Sequence, residues 1–301
     1  MKRLTQTAGW IGGLVLLLAL FAGDASADRP VDETRALDGD GRLEIEILSG
    51  SVHVIGWNKK EVRIEGELED DVEELEIDGD AKRLSVRVVL LENRRTNEGD
   101  AYLTLHVPER CVVDFSAISA DLEVRDFLGG LIVESVSGEV DVEGKMNEAE
   151  VEAVSGNVRL KGSGGRFRVE TVSGDIELDR FEGGADLHST SGDVRVLAAG
   201  GIDRLRVETL SGDMFFHGKF AGEGTYRFQS HSGDVTLEIE GDTKASFDVQ
   251  TFSGDIDNDF GSDGRRTSRY TSGRELNFTT GGGGADVRIE TFSGDVSIEK
   301  N

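Results

Sequence analysis

Five histidines, His53, His106, His188, His217 and His231, are the residues of this chain best suited to hold a metal or move a proton. A zinc or copper site gathers such ligands at short, defined spacing. These five are scattered singly, and no cysteine cluster joins them, because Cys111 stands alone. One cysteine excludes an internal disulfide even in an oxidising compartment. Its setting, Arg110-Cys111-Val112-Val113, reads as a strand that buries an inert thiol. The serines are numerous, but none lies in a Gly-x-Ser-x-Gly elbow. The glycines form neither a phosphate loop nor a dinucleotide fingerprint, and the run Gly281-Gly282-Gly283-Gly284 reads as a turn.

Carboxylates are the remaining chemical resource. One set recurs at a fixed place in a repeated phrase: Glu139, Asn157, Asp175, Asp193, Asp213, Asp234, Asp255 and Asp295. Oxygen ligands on adjacent turns are one way to hold Ca²⁺. The simpler reading is turn chemistry, in which the Asp side chain accepts from nearby backbone amides. If the repeats stack about 4.8 Å apart, neighbouring carboxylates repel by roughly 1 kcal/mol in water-like dielectric, which turn bonds and water offset. Polysaccharide lyases and hydrolases need two acids converging on one face. Here the acids are dispersed by the repeat. No residue is therefore nominated as catalytic, cofactor-binding or metal-ligating, no cofactor is expected, and the chain reads as a non-enzyme.

The elements that carry these residues are legible from the repeat. The phrase returns as Val136-Ser137-Gly138-Glu139-Val140, Val154-Ser155-Gly156-Asn157-Val158, Val172-Ser173-Gly174-Asp175-Ile176 and Thr190-Ser191-Gly192-Asp193-Val194. Further copies sit at Ser211, Ser232, Ser253, Ser272 and Ser293, a degenerate one at Ser119-Ala120-Asp121, and a distant one at Ser49-Gly50-Ser51. Self-similarity at a steady period of about 20 residues signals stacked units. Before each Ser an apolar position (Val133, Val151, Val169, Leu187, Val207) and a small one (Ser135, Ala153, Thr171, Ser189, Thr209) flank a polar one (Glu134, Glu152, Glu170, His188, Glu208). That period of two is a strand with one buried face. A second strand follows the turn, with Val140/Val142, Val158/Leu160 and Ile176/Leu178 inward. The expectation is an all-β chain: a parallel β-solenoid of about ten coils of 18–21 residues, with Gly at each corner for positive φ and each coil following the last. Residues 28–118 hold longer alternating runs and read as an irregular β-rich cap, with Trp57 in its core. Residues 119–301 read as the solenoid, whose final coil, around Ile289 to Ile298, ends the stack guarded only by Glu299 and Lys300.

The N-terminus carries Met1-Lys2-Arg3, an apolar run over 11–21 and Ala25-Ser26-Ala27 before Asp28. That order matches a secretory signal peptide over residues 1–27. No later stretch is apolar enough to span a bilayer. The expected location is outside the cytoplasm: periplasmic, cell-surface or secreted. The net charge is −26. Such a surface repels nucleic acid and anionic lipid and suits solubility, cations or a basic partner.

The Ser-Gly-Asp-Val/Ile repeats, the segment Leu43-Glu44-Ile45 with Gly50-Ser51-Val52 and Gly56-Trp57, and Leu105-His106-Val107-Pro108 together resemble the DUF4097 family of β-strand-repeat proteins. The resemblance covers roughly residues 40–300. It implies a β-repeat fold and the adhesin label attached to that family, and brings no catalytic residues with it. The function expected is an exported adhesin or scaffold that binds glycan, a cell-envelope protein or itself through polar sheet faces, including end-to-end self-association at the final coil. The alternative is a carbohydrate-active enzyme built on a β-helix, on fold analogy alone.

Overall fold

The structure, a computed structural model, describes residues 29–91, 99–261, 264–266 and 273–301. The expected signal peptide and Ser272 lie outside the described residues. Every regular element among them is a strand. The first part holds β1 (Arg29–Ala36), β2 (Arg42–Trp57), β3 (Glu61–Leu68), β4 (Val72–Gly79), β5 (Arg83–Leu90) and β6 (Asp100–Pro108). The regular repeats are β7 (Val112–Phe127), β8 (Gly130–Ser137), β9 (Val140–Gly144), β10 (Glu148–Ser155), β11 (Val158–Thr171), β12 (Ile176–Ser191), β13 (Val194–Ser211), β14 (Met214–Gly218), β15 (Phe220–Ser232) and β16 (Val235–Ile239). The chain continues through β17 (Ala245–Ser253), β18 (Ile256–Asn258), β19 (Arg265–Arg266), β20 (Arg274–Thr280), β21 (Ala285–Ser293) and β22 (Val296–Lys300).

Equivalent residues of successive repeats pair in parallel. Val133, Val151, Val169, Leu187, Val207 and Phe228 form one column, and Val140, Val158, Ile176, Val194, Met214 and Val235 another. Both columns are buried. Short alternating strands cannot bury their apolar face alone, so each level covers the next.

The order of the levels departs from chain order at both ends. β15 pairs with β21, and β21 pairs in turn with β17; β22 lies likewise between β16 and β18. The coil expected to end the stack is therefore enclosed by neighbours on both sides. The outermost coil is β17/β18, and its far edge is covered by β20 in antiparallel pairing. Gly273 leads into that cover strand, which runs antiparallel to β17. At the other end β2 sits between β5/β6 and β7, and β3 and β4 cover β6 and β5 antiparallel. In each case two strands adjacent in sequence, β20 with β21 and β2 with β3, straddle the outermost coil. Antiparallel cover strands satisfy backbone groups that an open parallel edge would leave exposed.

The expected division at 118/119 falls inside β7, and β2, β5 and β6 supply levels of the same stack. The Ser49-Gly50-Ser51 copy is in register with Ser119-Ala120-Asp121. The period is hidden in this part because the antiparallel strands β3 and β4 intervene between its parallel levels.

The corner glycines are needed for a different reason from the one expected. Positive φ in the left-handed region occurs at Gly50, Gly138 and Gly233, but not at most copies. What recurs is proximity. A Cβ on Gly174 would lie 2.0 Å from the carbonyl oxygen of Gly156, and one on Gly294 2.1 Å from that of Gly233. The turns nest backbone on backbone, and only hydrogen fits between them.

Trp57 is half-buried at the end of β2 rather than in the core. Its Nε1 donates to the Glu61 carbonyl at 2.8 Å, and the Lys59 ammonium lies 4.1 Å from the ring. It clamps the turn into β3.

Candidate functional site

The Asp column is the first place to test for chemistry. The backbone N–H of Asp193 donates to Oδ1 of Asp175 at 2.9 Å, that of Asp213 to Asp193 at 2.9 Å, and that of Asp234 to Asp213 at 2.8 Å. Each carboxylate thus bonds the amide of the next coil, a step beyond the within-turn bond expected. The column is engaged in holding levels together. Among the described residues no group of three or more His, Cys, Asp or Glu side chains is arranged to hold a metal.

The histidines lie apart. His53 Nδ1 is 2.8 Å from Glu123, His188 Nδ1 is 3.1 Å from Glu208, and His217 lies 3.0 Å from both Glu238 and Glu240. His106 packs against Trp57 and His231 stacks on Phe292. Cys111 is fully buried, and burial pushes its thiol up to about 12.

The feature that stands out is a longitudinal groove of about 1040 Å³ that crosses the strands from the β5 and β2 levels to β13. A shallower continuation runs past Ser230 and His231 to Phe292. Three columns build it. Its floor is the small-residue column: Ala117, Ser135, Ala153, Thr171, Ser189 and Thr209, all buried. Floor hydroxyls turn inward to the Ser-Gly corners, as in Thr171 Oγ1 to the Gly174 carbonyl at 3.0 Å and Thr209 Oγ1 to that of Gly212 at 3.1 Å. Ser189 Oγ is buried with no hydrogen-bond partner in the structure.

One wall is the polar column before the floor: Glu46, Glu134, Glu152, Glu170, His188 and Glu208. Arg87 donates to Glu46 at 2.6 Å and holds its carboxyl below the ordinary value. Arg168 donates to Glu170 at 2.6 Å, and Arg206 Nε to Glu208 at 2.7 Å. Among the described residues, no cation lies within ion-pair distance of Glu134 or Glu152.

The other wall is apolar and faces solvent. It is formed by the residue immediately before each repeat Ser: Ile118, Val136, Val154, Val172 and Leu210, interrupted by Thr190. These apolar side chains are 43–54% exposed. Beyond the groove proper the same column continues as His231, Phe292 and Phe252, with ring centroids 4.8 Å apart at each step and planes within 6° of parallel. Apolar groups at one outward position of nearly every level make a stripe, broken within the groove at Thr190, which a solvated surface does not need.

Sequence reasoning followed the inward positions and the Ser-Gly-Asp turn and missed this stripe. The signal was present. Alternation assigns the residue before the Ser to the outward face, and finding Ile, Val, Leu or Phe there in most copies breaks the pattern that surface positions follow.

None of the curated proteins compared with the chain matches it. Among solved structures, a "putative adhesin" from Bacteroides fragilis is 12% identical, with a TM-score of 0.47, covering 92% of this chain and all of that one. A "putative cell adhesion protein" from Clostridium sporogenes is 12% identical, with a TM-score of 0.20 over 91% of this chain and all of that one. A "putative lipid binding protein" from Parabacteroides distasonis is 11% identical, with a TM-score of 0.43 over 90% of this chain and 96% of that one. Likeness at this level says nothing of what the groove holds. The family model described as Toastrack DUF4097 matches residues 42–299, which takes in the coils, the covered ends and the whole groove, and the chain belongs to that family.

Proposed function

We propose that this protein is an exported, non-enzymatic scaffold of the adhesin kind, a parallel β-solenoid that captures an extended ligand lengthwise in the groove. The observation that carries the proposal is the pairing of an exposed apolar stripe, Val136-Val154-Val172, with an acidic wall, Glu134-Glu152-Glu170, across a floor of small buried residues. The arrangement offers the same contacts at level after level, which suits a polymer better than a compact metabolite.

The carbohydrate-active alternative needs two carboxyl groups facing each other across a bound sugar, at about 5–10 Å. Here the acids share one wall and the facing wall is aliphatic, which favours binding over hydrolysis. Export is supported by the sequence of residues 1–27, and N-terminal sequencing of protein recovered from outside the cytoplasm should begin at Asp28.

The test uses glycan and peptide arrays probed with the wild-type protein and with Val136→Thr/Val154→Thr/Val172→Thr. Thr190 already occupies the same column, so the replacement suits the backbone. Binding that weakens in the variant, with the ligand recovered intact by mass spectrometry, supports a groove-binding scaffold. Cleavage of a bound ligand would point to the enzyme instead.

A further inference from the structure

Resting on that groove, we infer that its occupant is an extended polypeptide in which apolar residues alternate with Lys or Arg. Four observations lead there.

The first is size. The stretch from the β5 level to the β13 level spans seven steps of about 4.8 Å, or about 34 Å. Its two walls are side chains two residues apart on the same strands, as in Glu134 and Val136, so they stand about 7 Å apart at their base. A helix with its side chains is about 10–12 Å across, wider than that gap. An extended chain fits, and about ten residues of it cover the length at roughly 3.3 Å each.

The second is the difference between the walls. Successive side chains of an extended chain point to opposite sides. A segment lying lengthwise therefore sends every other side chain to the apolar stripe and the rest to the Glu column. Apolar residues on one side and cations on the other match both walls at once.

The third is charge. Glu134 and Glu152 have no cation within ion-pair distance among the described residues, and they lie in adjacent levels facing Val136 and Val154. The whole chain carries −26. This disfavours anionic lipid and nucleic acid. It also disfavours a second copy, because a two-fold contact between stripes would bring two acidic walls together. The groove's stripe is aliphatic from Ile118 to Leu210, whereas sugars are held best on aromatic faces, and those occur only beyond the groove proper at Phe292 and Phe252.

The fourth is the floor. With side chains on the walls, one backbone edge of the segment faces the floor. The level of His188, Ser189 and Thr190 is polar in all three columns, and Thr190 is exposed where its neighbours in the stripe are apolar. That level offers a polar notch one step from the β13 end of an otherwise repetitive groove, where the segment can be fixed in register.

The test is fluorescence anisotropy of the full protein with labelled ten-residue probes: one alternating Leu and Lys, one alternating Leu and Glu, and one with five Leu followed by five Lys. A neutral cello-oligosaccharide and phosphatidylcholine vesicles serve as the other arms. The inference expects the Leu–Lys alternating probe to bind best, more weakly as salt rises. It expects Glu134→Gln/Glu152→Gln/Glu170→Gln and the Val→Thr triple variant each to lower affinity by about tenfold or more. Gln already stands in the wall column at Gln229 and Gln250, as Thr does in the stripe, so both variants keep residues the fold accepts. Equal binding of the block or Leu–Glu probe overturns the inference. So does binding of only the oligosaccharide or vesicles; if the Val→Thr variant loses that binding, the groove survives as a binding site with another occupant. No binding by any probe overturns the polypeptide and removes support for the groove as well.

Discussion

The backbone N–H of Asp295 donates to Oδ1 of Asp234 at 2.8 Å across 61 residues of sequence, and the N–H of Asp255 donates to Oδ1 of Asp295 at 2.7 Å. The Asp ladder therefore runs 213, 234, 295, 255, and records at one atom per level that the later coil lies inside the earlier one. Removing residues 285–301 should leave β15/β16 and β17/β18 facing each other across an empty level. Hydrogen exchange should then rise over 225–258 while 112–197 stays protected. Unchanged protection on both sides of the gap would contradict the pairing.

The ladder itself should contribute modestly per level. Asp193→Ala removes the acceptor for the Asp213 amide, a loss of about 1.5–3 kcal/mol for a hydrogen bond to a charged group. Asp193→Asn keeps an oxygen acceptor, as Asn157 does for the Asp175 amide at 3.1 Å, and should cost much less. Denaturant titration of the two variants separates them. If calcium held the column, chelator would lower the melting temperature of the wild type; with backbone amides as partners, no shift is expected.

Gly174→Ala should be among the most damaging single changes. Its added carbon would meet the Gly156 carbonyl oxygen, a backbone atom with the next turn nested against it. Overpacking costs typically 1–3 kcal/mol and more where the backbone must move. Gly222→Ala is the control, since nothing lies within 4 Å of its added carbon. A Gly174→Ala protein as stable as the control would refute the nested-turn account.

Cys111 should be silent in the native protein. It is fully buried, and its thiol is pushed up to about 12, so almost no thiolate exists at neutral pH. Iodoacetamide at pH 8 should label it only once denaturant has unfolded the chain. Rapid native labelling would mean that the β7 level opens locally.

Glu290 gives a pH signature. The Gln229 amide, 2.9 Å away, and the Arg288 guanidinium hold its carboxyl below the ordinary 4.5. A carboxyl whose folded value is depressed stabilises the fold above its unfolded value, and that contribution is lost as pH falls through the folded one. Gln229→Leu should therefore reduce stability at pH 7 more than at pH 3. The effect is small because the pair is partly solvated. Equal losses at both pH values would show that packing, and not the carboxylate, is responsible.

The local structure was legible because strand period and turn residues repeat. The columns of Val133, Val140 and Ser135 could be written down from spacing alone, and they are buried or corner-bonded as that spacing demands. The order of the levels was not legible. Ser232, Ser253 and Ser293 carry the same phrase, and nothing in identical turns says which coil stacks on which. That choice is made by the intervening segments: the short link 240–244 and the antiparallel cover strand β20. The groove was half legible. Its acidic wall was noted as a polar position, but its apolar wall was hidden because an outward Val in a single repeat is unremarkable. Only the parallel register of Val136, Val154 and Val172 turns it into a surface.

The enclosed coil has a consequence for synthesis. A chain made from its N-terminus can lay level on level from β7 to β16 as it emerges, because each new coil needs only the one before it. At β17 that scheme stops. The outermost coil and its cover strand are made before the level that must lie beneath them, so β17 and β18 must wait unpaired on their inner side until β21 and β22 arrive. A product that stops short of Ala285 keeps two raw sheet edges and should be drawn to aggregation or proteolysis. The fold thereby distinguishes a finished chain from an interrupted one, with the late coil acting as the keystone of an arch.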